Sequence, residues 1–130
     1  MRELSTEELN KITEAIIGAA IEVHRHLGPG WLESAHRECL RYELTQRGYD
    51  PRQEVPLLLT YKDVKLDCGY RLDLLVNDAV IVEIKSVESL AEIHDAQLLS
   101  YLKISGGKLG LLLNFNVKML KHDGTKRLAN

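Results

Sequence analysis

Residues Gly69–Lys85 read G-Y-R-L-D-L-L-V-N-D-A-V-I-V-E-I-K, which sets two acids and a lysine, Asp73, Glu83 and Lys85, into otherwise apolar strand sequence. Val, Ile and Leu fill nearly every other place, so the stretch reads as two buried strands joined at Asn77-Asp78-Ala79. Charges in such a place need a partner or a task. Register decides whether they meet. Directly opposed residues in an antiparallel hairpin share a face and have a constant sum of residue numbers, so opposing Asp73 to Glu83 requires a loop of odd length. The apolar pattern asks for the same parity. Leu72, Leu74 and Val76 then oppose Ile84, Val82 and Val80 on one oily face, while Asp73 and Leu75 oppose Glu83 and Ile81 on the other, with Lys85 two residues on. A two-residue Asn77-Asp78 turn would put the acids on opposite faces, so an odd connection is expected. Opposed carboxylates, about 5 Å apart at Cβ, repel unless a cation or a proton sits between them, and a hard divalent metal is the economical answer.

Elsewhere the chain is ordinary in bulk: 130 residues, 45% hydrophobic, suited to one compact domain with a real core. It has no signal-like apolar run and no stretch long enough for a membrane helix, so a soluble, cytoplasmic protein is expected. Cys39 and Cys68 stand alone, without a CxxC pattern, and read as reduced, partly buried thiols. The net charge of −2 conceals an asymmetry: residues 101–130 carry six basic side chains and one acid. Lys103, Lys108, Lys118, Lys121, Lys126 and Arg127 form either a phosphate-facing patch or an ordinary solvated surface.

The order of elements follows from periodicity. Ser5 and Glu8 fit a capping box, and Leu9, Ile12, Ile16, Ala19, Val23 and Leu27 recur at helical spacing up to Gly28-Pro29-Gly30. His24 and His26, two apart, read as surface residues. A second helix spans about Trp31 to Arg47, with Glu33, His36, Leu40 and Leu44 on one inward stripe. Strands are expected at Val55–Tyr61, Val64–Val76 and Val80–Lys85, then a helix at Glu88–Ser105 with His94, Gln97 and Tyr101 on one face. Leu109–Phe115 is the last buried strand, and Val117–Leu128 a short basic appendage. The sum is an α/β domain with a mixed β-sheet flanked by helices, in the order α-α-β-β-β-α-β.

Asp73, nine intervening residues and Glu83-Ile84-Lys85, on adjacent strands after a helix bearing Glu33, resemble the PD-(D/E)XK nuclease superfamily. Gly30-x-x-Glu33-x-x-His36 is similar to the signature of its small GxxExxY family, and Gln97-x-x-x-Tyr101 to the QxxxY motif of its RecB-like nucleases. A bare D…ExK is a weak signal, and the helix motifs in the right element order strengthen it. Two departures stand out: His36 occupies the tyrosine position of the GxxExxY signature, and Leu72 replaces the proline before the aspartate.

The resemblance implies a restriction-endonuclease-like core and metal-dependent hydrolysis of nucleic acid, DNA foremost. It implies that Asp73, Glu83 and the Ile84 backbone carbonyl hold Mg2+ or Mn2+, with Glu33 reaching the ion directly or through water; His36, at the departing position, either replaces one polar ring by another or adds an imidazole ligand. Lys85 would orient the attacking water, Gln97 would fix a water or Lys85, and Tyr101 would contact the substrate backbone. Lys103, Lys118, Lys121, Lys126 and Arg127 are the remaining substrate contacts expected. The competing reading keeps the fold as a non-catalytic nucleic-acid- or protein-binding module, as a homodimer or within a larger assembly.

Overall fold

Ser5 starts the first helix as its sequence requires: its hydroxyl accepts from the Glu8 amide and its own amide donates to the Glu8 carboxylate, both at 3.1 Å. In the computed structural model, which describes residues 1–130, that helix, α1, runs from Thr6 to Leu27. Gly28, at φ 69°, turns the chain out of it and donates back to the His24 carbonyl. The second helix, α2 (Glu33–Gln46), follows. Then come β1 (Pro51–Pro56), β2 (Leu59–Tyr61), β3 (Val64–Leu66), β4 (Arg71–Val76) and β5 (Val80–Lys85). The chain closes with α3 (Glu92–Ser105), β6 (Leu109–Asn114), α4 (Leu120–Asp123) and β7 (Thr125–Ala129). No helix is long and apolar enough to cross a membrane, and both cysteines are free, Cys39 partly buried as expected and Cys68 exposed, against expectation.

Five strands form one mixed sheet in the order β1-β4-β5-β6-β7, and α3 supplies the crossover between the one parallel pair, β5 and β6. The α1/α2 side buries Leu74, Val76, Val80, Val82 and Ile84 with Ile16, Leu40 and Leu44; the α3 side buries Leu75, Ile81 and Leu112 with Leu98 and Leu102. The mixed α/β fold with helices on both faces is the expected one.

The hairpin parity holds. Leu74 pairs with Val82, Leu75 with Ile81 and Val76 with Val80, so the connection is the three residues Asn77, Asp78 and Ala79. Asn77 and Asp78 both take left-handed backbone (φ 53° and 51°), which these two residue types tolerate better than any other besides glycine. The Ala79 amide closes the turn on the Val76 carbonyl at 3.1 Å, and Ala79 is the extra residue that makes the count odd.

Four expectations need correction. The strand expected at Val55–Tyr61 divides: Pro51–Pro56 lies in the main sheet, and Leu59–Tyr61 leaves it to form a separate hairpin with Val64–Leu66. The strand expected at Val64–Val76 breaks at Asp67, whose carboxylate accepts from the Gly69 amide (2.9 Å) while Gly69 sits at φ 81°. Residues 88–91 precede the third helix instead of starting it, because the His94 ring accepts from the Ala91 amide at 2.9 Å and sets the first turn there. The basic appendage is folded: after α4, β7 completes the sheet beside β6.

The parity argument yields a test of the fold. Deleting Ala79 leaves the two-residue Asn77-Asp78 turn and turns every β5 side chain to the other face, so the variant loses its cooperative unfolding transition in urea. Asp78→Gly keeps the length, relieves the left-handed conformation and stays within about 1 kcal/mol of the parent.

Candidate active site

The β4–β5 ladder stops at Leu74–Val82, one pair short of Asp73 and Glu83, and the β1–β4 ladder passes from Gln53–Leu74 to Val55–Leu72 without pairing Asp73. The sheet therefore opens at Asp73. Carboxylates fill the opening: the Asp73 amide donates to Glu83 Oε2 at 2.9 Å, and the Ile84 amide donates to Asp73 Oδ2 at 2.8 Å. Each acid satisfies a backbone group of the other acid's strand. The break also explains why Leu72 joins the α3-side cluster and not the face of Leu74 and Val76, as strict alternation requires. Backbone alternation does not carry across an interrupted ladder.

Glu83 is buried and its carboxyl is pushed up to about 8, first by burial and then by the neighbouring Asp73 charge. Asp73 is also raised, chiefly by burial, while the Ile84 amide, Lys85 and Arg37 act against the rise. Each carboxylate keeps one oxygen that the other strand's amide does not use. The C=O of a strand residue leaves the same edge as its N–H, so the Ile84 carbonyl faces the same opening. Two hard carboxylates short of positive charge, with a carbonyl between the strands, fit a Mg2+- or Mn2+-type ion that keeps several waters. No three His, Cys, Asp or Glu side chains converge closely enough to form a ready-made protein cage.

The remaining expected residues fall into two groups. Glu33, in the first turn of α2, accepts the Ser86 amide at 3.0 Å, and the Ser86 hydroxyl donates to the Trp31 carbonyl at 3.2 Å, so the start of α2 is tied to the end of β5. The Glu33 charge raises both Asp73 and Glu83. Lys85 Nζ donates to Gln97 Oε1 at 3.1 Å, which joins β5 to α3. Tyr101 lies one turn beyond Gln97, buried, its phenol pushed up by burial and by Glu83.

His36 is placed differently. Its ring is fully buried, stacked on Phe115 with centroids 4.3 Å apart, and neither nitrogen has a hydrogen-bond partner. Burial, with a contribution from His24, holds its pKa below the ordinary histidine value. His24 is buried as well, contrary to its surface reading, with Nε2 2.7 Å from the Val117 carbonyl oxygen. The basic residues do not gather into one patch. Lys103 is exposed on α3, Lys126 pairs with Asp95 of α3, Arg127 donates to Asn10 of α1, and Lys118 and Lys121 line a separate cavity with His24 and Arg25.

Three residues at the site carried no signal strong enough to be chosen from the sequence. Arg37, four residues after Glu33 on α2, pairs with Glu54 at 2.6 Å and lowers Asp73. Its i, i+4 spacing from Glu33 was the available clue. Glu54 lies at the unpaired β1 position facing Asp73 and adopts φ 53°. Asn114, at the end of β6 beside Lys85, is fully buried; its amide group accepts from the Val87 N–H at 3.1 Å and donates to the Val87 carbonyl at 2.9 Å. A lone polar residue closing the run L-G-L-L-L-N marked it.

The raised carboxyl has a signed consequence. Between the ordinary glutamate value of 4.5 and about 8, the folded metal-free chain holds a proton on Glu83 that the unfolded chain has released. Stability from this group is therefore full below about pH 4.5 and lost as pH rises through about 8. In urea titrations with chelator present, the unfolding midpoint falls across that window, and Glu83→Gln flattens the fall; a midpoint that rises toward pH 8 in the parent would contradict the coupling.

A profile of the PD-(D/E)XK nuclease superfamily matches residues 10–128, from within α1 to within β7. No curated protein and no solved structure matches the chain. Given that match over nearly the whole sequence, and a mixed sheet whose second and third strands carry the acids, the chain belongs to the PD-(D/E)XK nuclease superfamily.

Proposed function

We propose that this protein is a divalent-metal-dependent phosphodiesterase that hydrolyses nucleic acid, DNA foremost. The observation that carries the reading is the interlocked pair of buried carboxylates, Asp73 and Glu83, in a gap of the sheet with Lys85 held beside them. Within the superfamily, Gly30 and Glu33 support placement in the GxxExxY family, from whose signature His36 departs, and Gln97 and Tyr101 support a QxxxY-type motif.

In this reading Asp73, Glu83 and the Ile84 carbonyl hold Mg2+ or Mn2+, with Glu33 supporting the ion directly or through water. Bound there, the metal neutralises the phosphodiester and lowers the pKa of a water ligand. The protein's own groups do the rest. Asp73 and Glu83 stay fixed because each accepts a backbone amide, so they meet the substrate without reorganising. Lys85, an ammonium held by the Gln97 carbonyl oxygen, orients the water and stabilises charge on the phosphate. The other end of the Gln97 amide engages the Tyr101 phenol, so the three side chains are linked in a row. Tyr101 forms part of the wall over which the substrate passes. Lys103 and Lys126, on the α3 side, are nearer to that wall's helix than Lys118, Lys121 or Arg127, and take the substrate backbone contacts in this reading. His36 serves the packing around Phe115.

The test is hydrolysis of labelled single- and double-stranded DNA and RNA with Mg2+ or Mn2+. Asp73→Asn, Glu83→Gln and Lys85→Ala each lower the rate by about a hundredfold or more, and Mn2+ raises the melting temperature of the parent but not of Asp73→Ala. Cleavage that survives Asp73→Asn and Glu83→Gln would sink the assignment. Salt-sensitive binding with no turnover on any of these substrates would instead assign a non-catalytic binding module.

A further inference from the structure

Next to Lys85 and Gln97 the molecule carries a half-open cleft of about 600 Å3, bounded by one face of α3, by Leu59 of β2 and by Tyr70 just before β4. Its walls are largely apolar and aromatic. The Tyr70 and Tyr101 rings meet edge-on, with centroids 5.9 Å apart and planes at 65°, and Tyr70 remains 41% exposed, so ring surface stays open to a ligand. No Asp or Glu lines the cleft, and its one fixed positive charge is Lys85. The other two cavities differ in kind. The one between α1 and α2, about 310 Å3, is lined by Glu22, Glu38 and Glu43, which repel an anion. The one at Lys118 and Lys121, about 270 Å3, is lined from α1 and the α4 region and includes none of Glu33, Asp73, Glu83, Lys85, Gln97 or Tyr101.

The cleft also offers polar groups at its rim. The His94 Nδ1 accepts from the Ala91 amide, which places the ring proton on Nε2 as a donor. Gln97 lines it with its carbonyl oxygen on Lys85 and the other end of its amide engaging the Tyr101 phenol, and Ser100 adds a hydroxyl. An apolar, partly aromatic slot with a few hydrogen-bonding groups and a cation at one end suits a flat heteroaromatic ring joined to a phosphate.

We infer that this cleft takes an unpaired nucleobase, so that the substrate is single-stranded nucleic acid or a single-stranded end whose phosphate lies at Lys85. The inference rests on the phosphodiesterase reading of the same site and narrows it. A base inside a duplex is stacked on both sides and cannot enter a concave slot without leaving the helix, whereas an unpaired base enters and gains stacking on Tyr70.

Binding separates this inference from turnover. The full chain is titrated, with Ca2+ present, against a short single-stranded DNA carrying 2-aminopurine, the same strand with one abasic nucleotide, and its blunt duplex. The single strand binds at least about tenfold more tightly than the duplex, with quenched 2-aminopurine fluorescence. Tyr70→Ala weakens single-strand binding by roughly ten- to a hundredfold, Tyr70→Phe restores it, and the abasic substitution costs the parent far more than it costs Tyr70→Ala. Ser100→Trp, which fills the slot from an exposed helix position, produces the same loss without removing the tyrosine. Equal affinity for duplex and single strand, no effect of the abasic nucleotide, or no binding at all overturns the inference. Metal-dependent cleavage of duplex that is indifferent to Tyr70 would leave the phosphodiesterase standing without the cleft. Base-dependent binding without cleavage would do the reverse.

Discussion

Two carboxylates that each accept a backbone amide from the other's strand hold β4 and β5 apart, and the rest of the site depends on that exchange. A closed ladder would have paired Ile84 with Leu72 and left the acids side by side above the sheet. Opening it carries a cost, because a buried carboxyl is desolvated and two of them repel. The amide bonds offset part of it, since an unpartnered buried N–H costs about 1–3 kcal/mol. The same atoms thus serve the fold and the proposed chemistry, and replacing either acid disturbs backbone satisfaction as well as charge.

Around this opening, three separate elements grip the short stretch that leaves β5. The first turn of α2 holds Ser86 through Glu33, α3 holds Lys85 through Gln97, and the end of β6 holds Val87 through Asn114. None of these contacts is local in sequence; the shortest spans twelve residues. A group positioned by partners on three elements keeps its geometry only while all three pack correctly. This arrangement couples the site to both helical layers, since α2 lies over one face of the sheet and α3 over the other.

Much of this was readable from the sequence, for identifiable reasons. Loop parity at Asn77-Asp78-Ala79 was legible because strand alternation has a period of two and two acids broke an otherwise apolar pattern. Gln97 and Tyr101 were legible because helical spacing puts them on one face with Leu98 and Leu102. Leu72 was misplaced because alternation presumes a continuous ladder, and no residue pattern announced the break at Asp73. Arg37 and Glu54 were missed because their significance lies in a contact across 17 residues between a helix and an edge strand. The departure of the β2–β3 hairpin from the main sheet and the strand character of β7 were missed for a related reason: both elements are mostly exposed, and what holds them is backbone pairing. Between one basic patch and an ordinary solvated surface the tail's sequence could not decide, because sequence proximity does not give spatial proximity. Strand alternation at Lys126 and Arg127 sends them to helices on opposite faces.

The two outer strands carry one further implication. β1 is bracketed by Pro51 and Pro56, which have no amide to offer, and its middle is bent by Glu54 in left-handed backbone. β7 carries Lys126 and Arg127 along the opposite border. Neither border presents the flat, fully hydrogen-bonding row that another strand needs in order to add on. Sheet continuation through β1 is thereby discouraged, and the apolar side chains that stand in solvent lie instead on the small β2–β3 hairpin, at Tyr61, Val64 and Leu66.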